Sequence, residues 1–358
     1  MAISQTGLQQ AWVVALGSMM IAAAGGCVQA GATAVEPEPE RMGAVQVSQL
    51  REDTIDQLLE LSQSEYALVR ANAVEALEEV RSRASEVVGD RLLDQNEGVR
   101  AVAAMVAGRL GMGEHVGRLE RMRGDPSPHV RASVVYALRA CGVNADPTVL
   151  ADLVLGHADP RVRAHAAFIL GEIGDRSALG LLREATSAPM RRASPSAVRL
   201  MRLQMAEAMV KLGDDEQLSV IRAALYPARA EELESAALAV QILGEVEDRA
   251  VIDQLIELTK GSEETERAMP AEVRLAAAAA LARMGLPQGT FVADEYRESD
   301  MDVLRAQAAS VYGEARSRAA VPTLDAMRRD GSEMVRVAAC GALLKVTEGM
   351  PARAQVGG

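Results

Sequence analysis

Apolar positions between residues 46 and 348 repeat on two scales. The stretch DPRVRAHAAFILGEIGD, residues 159–175, shows the shorter one. Helical residues advance about 100° each. Counted from Val162, the positions one, four, five, eight, eleven and twelve residues on therefore share one side with the valine. Across the copies of this stretch they are mainly Ala, Leu, Val, Ile or Met, together with an Arg. The longer scale appears when the chain is aligned on its Val-Arg pairs. These are Val69-Arg70, Val99-Arg100, Val130-Arg131, Val162-Arg163, Val273-Arg274 and Val335-Arg336, with looser copies at Met201-Arg202, Ser235-Ala236 and Leu304-Arg305. The steps are 30, 31, 32, 39, 34, 38, 31 and 31 residues. A period in this range predicts stacked units of two helices each. In the unit quoted, DPTVLADLVLGH supplies the first helix and Arg161 to Ile173 the second, closed by Gly174-Asp175. Strand-like alternation with turn signals is lacking, so the expected fold is all-α. The ninth residue after the valine is Gly108, Gly171, Gly244 or Gly313 in four copies. A helical Gly costs about 1 kcal/mol, which predicts close approach of a neighbouring helix there.

The pattern Asp-Pro…Val-Arg-x-x-Ala-Ala-x-Ala-Leu-Gly-x-Ile-Gly resembles HEAT repeats, in particular the short bacterial, PBS-lyase type. The resemblance covers residues 46–348 and implies an α-solenoid of about nine two-helix HEAT-like repeats. It also implies a structural ladder in which Asp and Arg tie helix starts and adjacent repeats together, here Asp94 with Arg100, Asp125 with Arg131 and Asp330 with Arg336. His157 occupies the equivalent Asp position in its own copy and predicts a break. The long steps place extra residues at 187–196 and 261–270, between first and second helices, so both should project from one rim.

The second helices of such an array line its concave face. The sixth residue after the valine points there, and in three successive copies it is Met105, Tyr136 and Phe168. Val102 and His165 lie one turn before Met105 and Phe168. These five residues form a candidate strip for a protein partner, bounded by Glu75 and Glu207, and should be more exposed than other apolar residues.

Residues 1–26 read differently. Ala11 to Ala24 is an apolar run followed by Gly25-Gly26-Cys27, short for a spanning helix and suited to a secretory signal. Small residues before Cys27 resemble the lipobox of bacterial lipoproteins, which implies acylation of Cys27 and attachment to a membrane of the cell envelope. Two features depart from that family: no basic residue precedes Arg41, and Ala24 stands where Leu is commoner. Simple cleavage and secretion, or an uncleaved anchor, are the alternatives. Residues 27–45 read as a flexible tether, 46–348 as the solenoid and 349–358 as a disordered tail.

Hydrophobic residues make up 49% of the chain but aromatics only 2%, which favours close-packed helices over sheets. The net charge of −12 without a basic stripe argues against nucleic acid as a partner. Cys141 and Cys340 fall at core-facing positions six repeats apart, out of disulfide reach. No motif for a nucleophile, a metal or a cofactor stands out. The expected function is a non-catalytic scaffold for an unidentified protein partner. An enzyme-associated role like that of the phycobilin lyases, which short HEAT arrays resemble, is the alternative.

Overall fold

The structure is a computed structural model describing residues 43–190, 192–261, 268–348 and 350. The expected signal, Cys27, most of the tether and all of the tail except Met350 lie outside the described residues.

Nine helix pairs follow one another among the described residues. The pairs are α1 (Ala44–Leu61) with α2 (Ala67–Ala76), α3 (Arg81–Arg91) with α4 (Glu97–Arg109), and α5 (Val116–Arg121) with α6 (Pro128–Ala140). Next come α7 (Thr148–Gly156) with α8 (Pro160–Ile173), α9 (Leu179–Ser187) with α10 (Pro195–Lys211), and α11 (Leu218–Ala223) with α12 (Leu233–Glu245). The last are α13 (Ile252–Thr259) with α14 (Ala271–Arg283), α15 (Phe291–Tyr296) with α16 (Asp302–Glu314), and α17 (Val321–Met327) with α18 (Glu333–Thr347). The fold is the all-α, HEAT-like solenoid expected, with its first helix starting two residues before the boundary read at 46.

The quoted stretch shows why each unit turns where it does. Asp159 caps α8 by accepting from the main-chain N–H of Arg161 at 2.9 Å. Pro160 takes the first helical position, where its missing N–H costs nothing, and Gly174 ends the helix with φ 75°.

The even-numbered helices form the inner layer, and the recurring glycines set its spacing. A Cβ on Gly108, Gly171, Gly244 or Gly313 would lie 2.8, 3.0, 2.8 or 2.9 Å from the Cα of Ala137, Ala208, Ala280 or Ala342 in the next inner helix. That Ala is always seven residues after the next unit's alignment residue, so one Gly–Ala contact recurs at four joints.

The array does not stay open. α18 packs against α1 and α2 as one unit packs against the next elsewhere. Val337, Cys340 and Leu344 share a buried cluster with Val69 and Val74. Across the seam Arg51 Nη1 donates to Leu344 O and Thr347 Oγ1, both at 2.9 Å, and Gln57 Nε2 donates to Arg328 O at 2.7 Å. Ser64 Oγ donates to Glu333. The nine units thus close into a ring, where an open concave groove was expected. No helix among the described residues is long and apolar enough to cross a membrane.

Candidate functional site

Closure changes the candidate strip. Met105 and Phe168 are each 3% exposed, Val102 and His165 are buried, and Tyr136 is half-buried. The expectation of an exposed strip is therefore wrong. The concave side of a closed ring is an interior, and its side chains cover one another. Phe168 stacks on His165 at 6.2 Å and lies under Lys211 Nζ, 5.0 Å from the ring centroid. Tyr136 lies over Gly108. His165 is fixed through Nε2 to Ser133 Oγ at 3.0 Å, and burial pushes its pKa down to about 3, so it stays neutral.

The tenth residue after each alignment residue forms a collar of charge inside the ring. In order these are Glu79, Arg109, Ala140, Glu172, Lys211, Glu245, Arg283, Glu314 and Lys345. Signs alternate around the circle except at Ala140. Lys211 Nζ sits 2.8, 2.8 and 2.6 Å from carboxylates of Glu172, Glu207 and Glu245. Glu314 takes Lys345 at 2.8 Å and Arg283 at 3.4 Å, and Arg109 pairs with Glu75 and Glu78. Burial raises the carboxyls of Glu75 and Glu245 to about 8, against the pull of Arg109 and Lys211. Sequence reading missed this collar, although its alternation is visible once the tenth positions are read together.

The Asp–Arg ladder is present with its pairing displaced by one unit. Arg100 Nη1 donates to the main-chain carbonyl of Asp94 at 2.8 Å, while the Asp94 carboxylate takes two bonds of 2.8 Å from Arg70 of the preceding unit. In the same way Asp125 takes Arg100 and lends its carbonyl to Arg131, and Asp330 takes Arg305 and lends its carbonyl to Arg336. Each of these three carboxylates also accepts the main-chain N–H two residues on, from Asn96, Ser127 or Ser332. The expected break is real. His157 accepts from the N–H of Asp159 through Nδ1 at 3.1 Å, reproducing the turn, but it brings no negative charge to Arg131.

Two rims bound the ring. Turns from outer to inner helices make an entry rim, and turns from inner to outer helices make an exit rim, where the described chain begins at Gly43. The exposed Tyr66, Leu93, Tyr226 and Met301 all stand in entry-rim turns, as do the described parts of both long insertions. The other exposed large apolar side chains are Val45 and Phe291 at the exit rim and Val220 on outer helix α11.

Cys340 is buried and donates to Gln57 Oε1 at 3.5 Å, its thiol pushed up to about 12 by burial. Cys141 is only half-buried, because it caps the end of α6 instead of facing the core as expected. Closure also places the two cysteines three units apart by the shorter way around. No group of three or more His, Cys, Asp or Glu suited to a metal occurs among the described residues.

The family model for the PBS lyase HEAT-like repeat matches residues 162–187, which span α8 and α9. None of the curated proteins compared with the chain matches it. Similar solved structures include human deoxyhypusine hydroxylase in complex with glycerol, at 19% identity and TM-score 0.37, covering 75% of this chain and 98% of that one. The complex of CpcE and CpcF of phycocyanin lyase from Nostoc sp. PCC7120 is similar at 19% identity and TM-score 0.39, covering 79% and 98%. An engineered protein is similar at 14% identity and TM-score 0.33, covering 96% of each chain. The chain is an all-α, HEAT-like solenoid whose helix pairs close on themselves, and residues 162–187 match the PBS lyase HEAT-like repeat.

Proposed function

We propose that this protein is a non-catalytic interaction scaffold, exported and lipid-anchored through Cys27, which holds a protein partner against its entry rim. The observation that carries the reading is the segregation of exposed apolar groups. The inside of the ring is filled by its own side chains, while Tyr66 and Tyr226, each 67% exposed, and Leu93, 66% exposed, stand in entry-rim turns, Tyr226 in the unit between the two that carry the insertions. Aromatic residues are enriched at protein interfaces, and ordering a Tyr costs little entropy because it has few rotatable bonds. The tethered end leaves from the exit rim, so a membrane-anchored ring presents its entry rim away from the attachment point.

The test is photocrosslinking in native envelopes, with the photoreactive residue placed at Tyr66, Leu93 or Tyr226 and, for comparison, at Val220 or Phe291. One partner captured from the entry-rim positions alone supports the reading, and equal capture from Val220 and Phe291 overturns it. Fatty-acid labelling that disappears in Cys27→Ser supports the anchor; unchanged labelling refutes it. A chromophore co-purifying with the ring would favour a lyase-like role instead.

A further inference from the structure

Ladder arginines are saturated around part of the ring and bare along one arc. Arg70, Arg100 and Arg305 each place Nε and Nη2 on one carboxylate of the next unit, with distances of 2.8–2.9 Å. Arg274 does the equivalent with Glu295, through Nη1 and Nη2. Arg336, at the seam, takes Glu333 of its own helix at 3.1 Å instead of a carboxylate of the next unit, and Arg131, Arg163 and Arg202 take no carboxylate from a described residue. Arg131 donates only to the carbonyls of Asp125 and Pro126 among the described residues. Arg163 donates through Nε to His157 O at 2.6 Å, and its buried Nη1 has no hydrogen-bond partner among the described residues. Arg202, aligned with them, is exposed and makes no ion pair with a described residue, although Arg199, one turn earlier on the same helix, takes Glu232 of the next unit at 2.8 Å.

We propose that Arg131, Arg163 and Arg202 form a receptor for an acidic segment of a protein partner, each guanidinium taking one Asp or Glu side chain in place of the missing ladder carboxylate. The intact joints supply the template, since the same side chain at the same register is completed there by a planar, two-bond carboxylate. Arg163 makes the strongest case. It is 6% exposed, and a buried guanidinium without counter-charge is costly; burial alone pulls its pKa down. The groups around it do not supply the charge. His157 offers a carbonyl and an imidazole. Asp159 is committed to the cap of α8 and to Arg161, and the insertion 187–196 contains no acid and adds the exposed Arg192.

Inner helices about 8–10 Å apart and an extended chain rising about 3.3 Å per residue suit a segment with an acid at every third position. A guanidinium this deeply set suits an inserted acidic side chain and not a flat anionic membrane, so a protein segment is the proposed occupant.

That the segment belongs to a protein rests on the scaffold reading above; the site itself does not. The probe is a fluorescein-labelled peptide of Glu-Gly-Gly repeated four times, titrated against the full-length protein by anisotropy, beside its Gln-Gly-Gly counterpart. Binding of the Glu peptide alone is expected, with at least tenfold weaker binding in Arg163→Gln. His157→Asp, which gives Arg131 an internal carboxylate, should also weaken binding while leaving the melting temperature equal or higher, so loss of folding is not the cause. Arg316→Gln, an exposed arginine near the exit rim, should bind as wild type. Equal binding of both peptides, no binding of either, or undiminished binding in Arg163→Gln and His157→Asp overturns the proposal. So does capture of phosphatidylglycerol vesicles without the peptide. Lost rim crosslinks with peptide binding intact would refute only the scaffold reading; intact crosslinks with no peptide binding would refute only the acidic-segment receptor.

Discussion

Arg100 and Asp125, one unit apart, are joined by two hydrogen bonds of 2.9 Å, Nε to Oδ2 and Nη2 to Oδ1. The carboxylate also holds the turn of its own unit through the N–H of Ser127 at 2.9 Å. One side chain therefore fixes a joint and a helix start together. Asp125→Asn keeps the shape and removes the charge. A net loss of about 1–3 kcal/mol is expected, read as a lower denaturant midpoint with an unchanged slope.

The titrating groups predict opposite behaviour at the two ends of the pH scale. Hydrogen bonding to Arg305 holds the Asp330 carboxyl below its ordinary 3.8, so its contribution is present above that value and lost as pH falls through the depressed folded value. Glu75 and Glu245 are raised by burial from 4.5 to about 8. Their protonated forms favour the fold, so this contribution is full below pH 4.5 and disappears as pH rises to about 8. Melting temperature should fall from pH 5 to 8, and Glu75→Gln together with Glu245→Gln should flatten that fall. A double variant melting with the wild-type pH slope would refute the assignment.

Gly244 is expected to reject even a methyl group. A Cβ there would meet Ala280 Cβ at 2.6 Å and Ala280 Cα at 2.8 Å. Helix propensity alone predicts that Gly→Ala gains about 1 kcal/mol. Overpacking against a backbone atom costs about 1–3 kcal/mol, so Gly244→Ala should lower stability on balance. Urea unfolding decides it, and an increase in midpoint would show that the inner helices can separate freely.

Phe168 and Tyr226 should behave oppositely on truncation. Phe168 is 3% exposed inside the ring, so Phe168→Ala should cost about 3–5 kcal/mol. Tyr226→Ser, at the entry rim, should stay within about 0.5 kcal/mol. Calorimetry of the two variants separates packing from surface roles.

How far these features could be read from sequence follows from what each depends on. The helix pairs and the Gly–Ala contacts are local, set by periodicity and by residues at fixed offsets, and the Val-Arg register exposes them. The ladder was legible in composition but not in partner, because an Arg side chain can reach its own helix start or the neighbouring unit. Ring closure depends on the summed rotation of all nine joints, which no single copy reveals. The misplacement of Phe168 followed from this, since its position in the unit was read correctly and only the solvent it was expected to face is absent. The basic arc was partly visible at His157, whereas the unpartnered Nη1 of Arg163 needed coordinates.

The seam between α18 and α1 has a further consequence. An open solenoid can lengthen or shorten by duplicating or deleting a unit at either end, with little effect on the rest. In a circle of nine, each joint must contribute roughly 40° of turn, and adding a tenth unit would strain every joint at once. The count of units is thus a geometric quantity shared by the whole chain. New units can be neither gained nor lost singly, which leaves variation to the loops: residues 187–196 and 261–270 show where length can still change without reopening the circle.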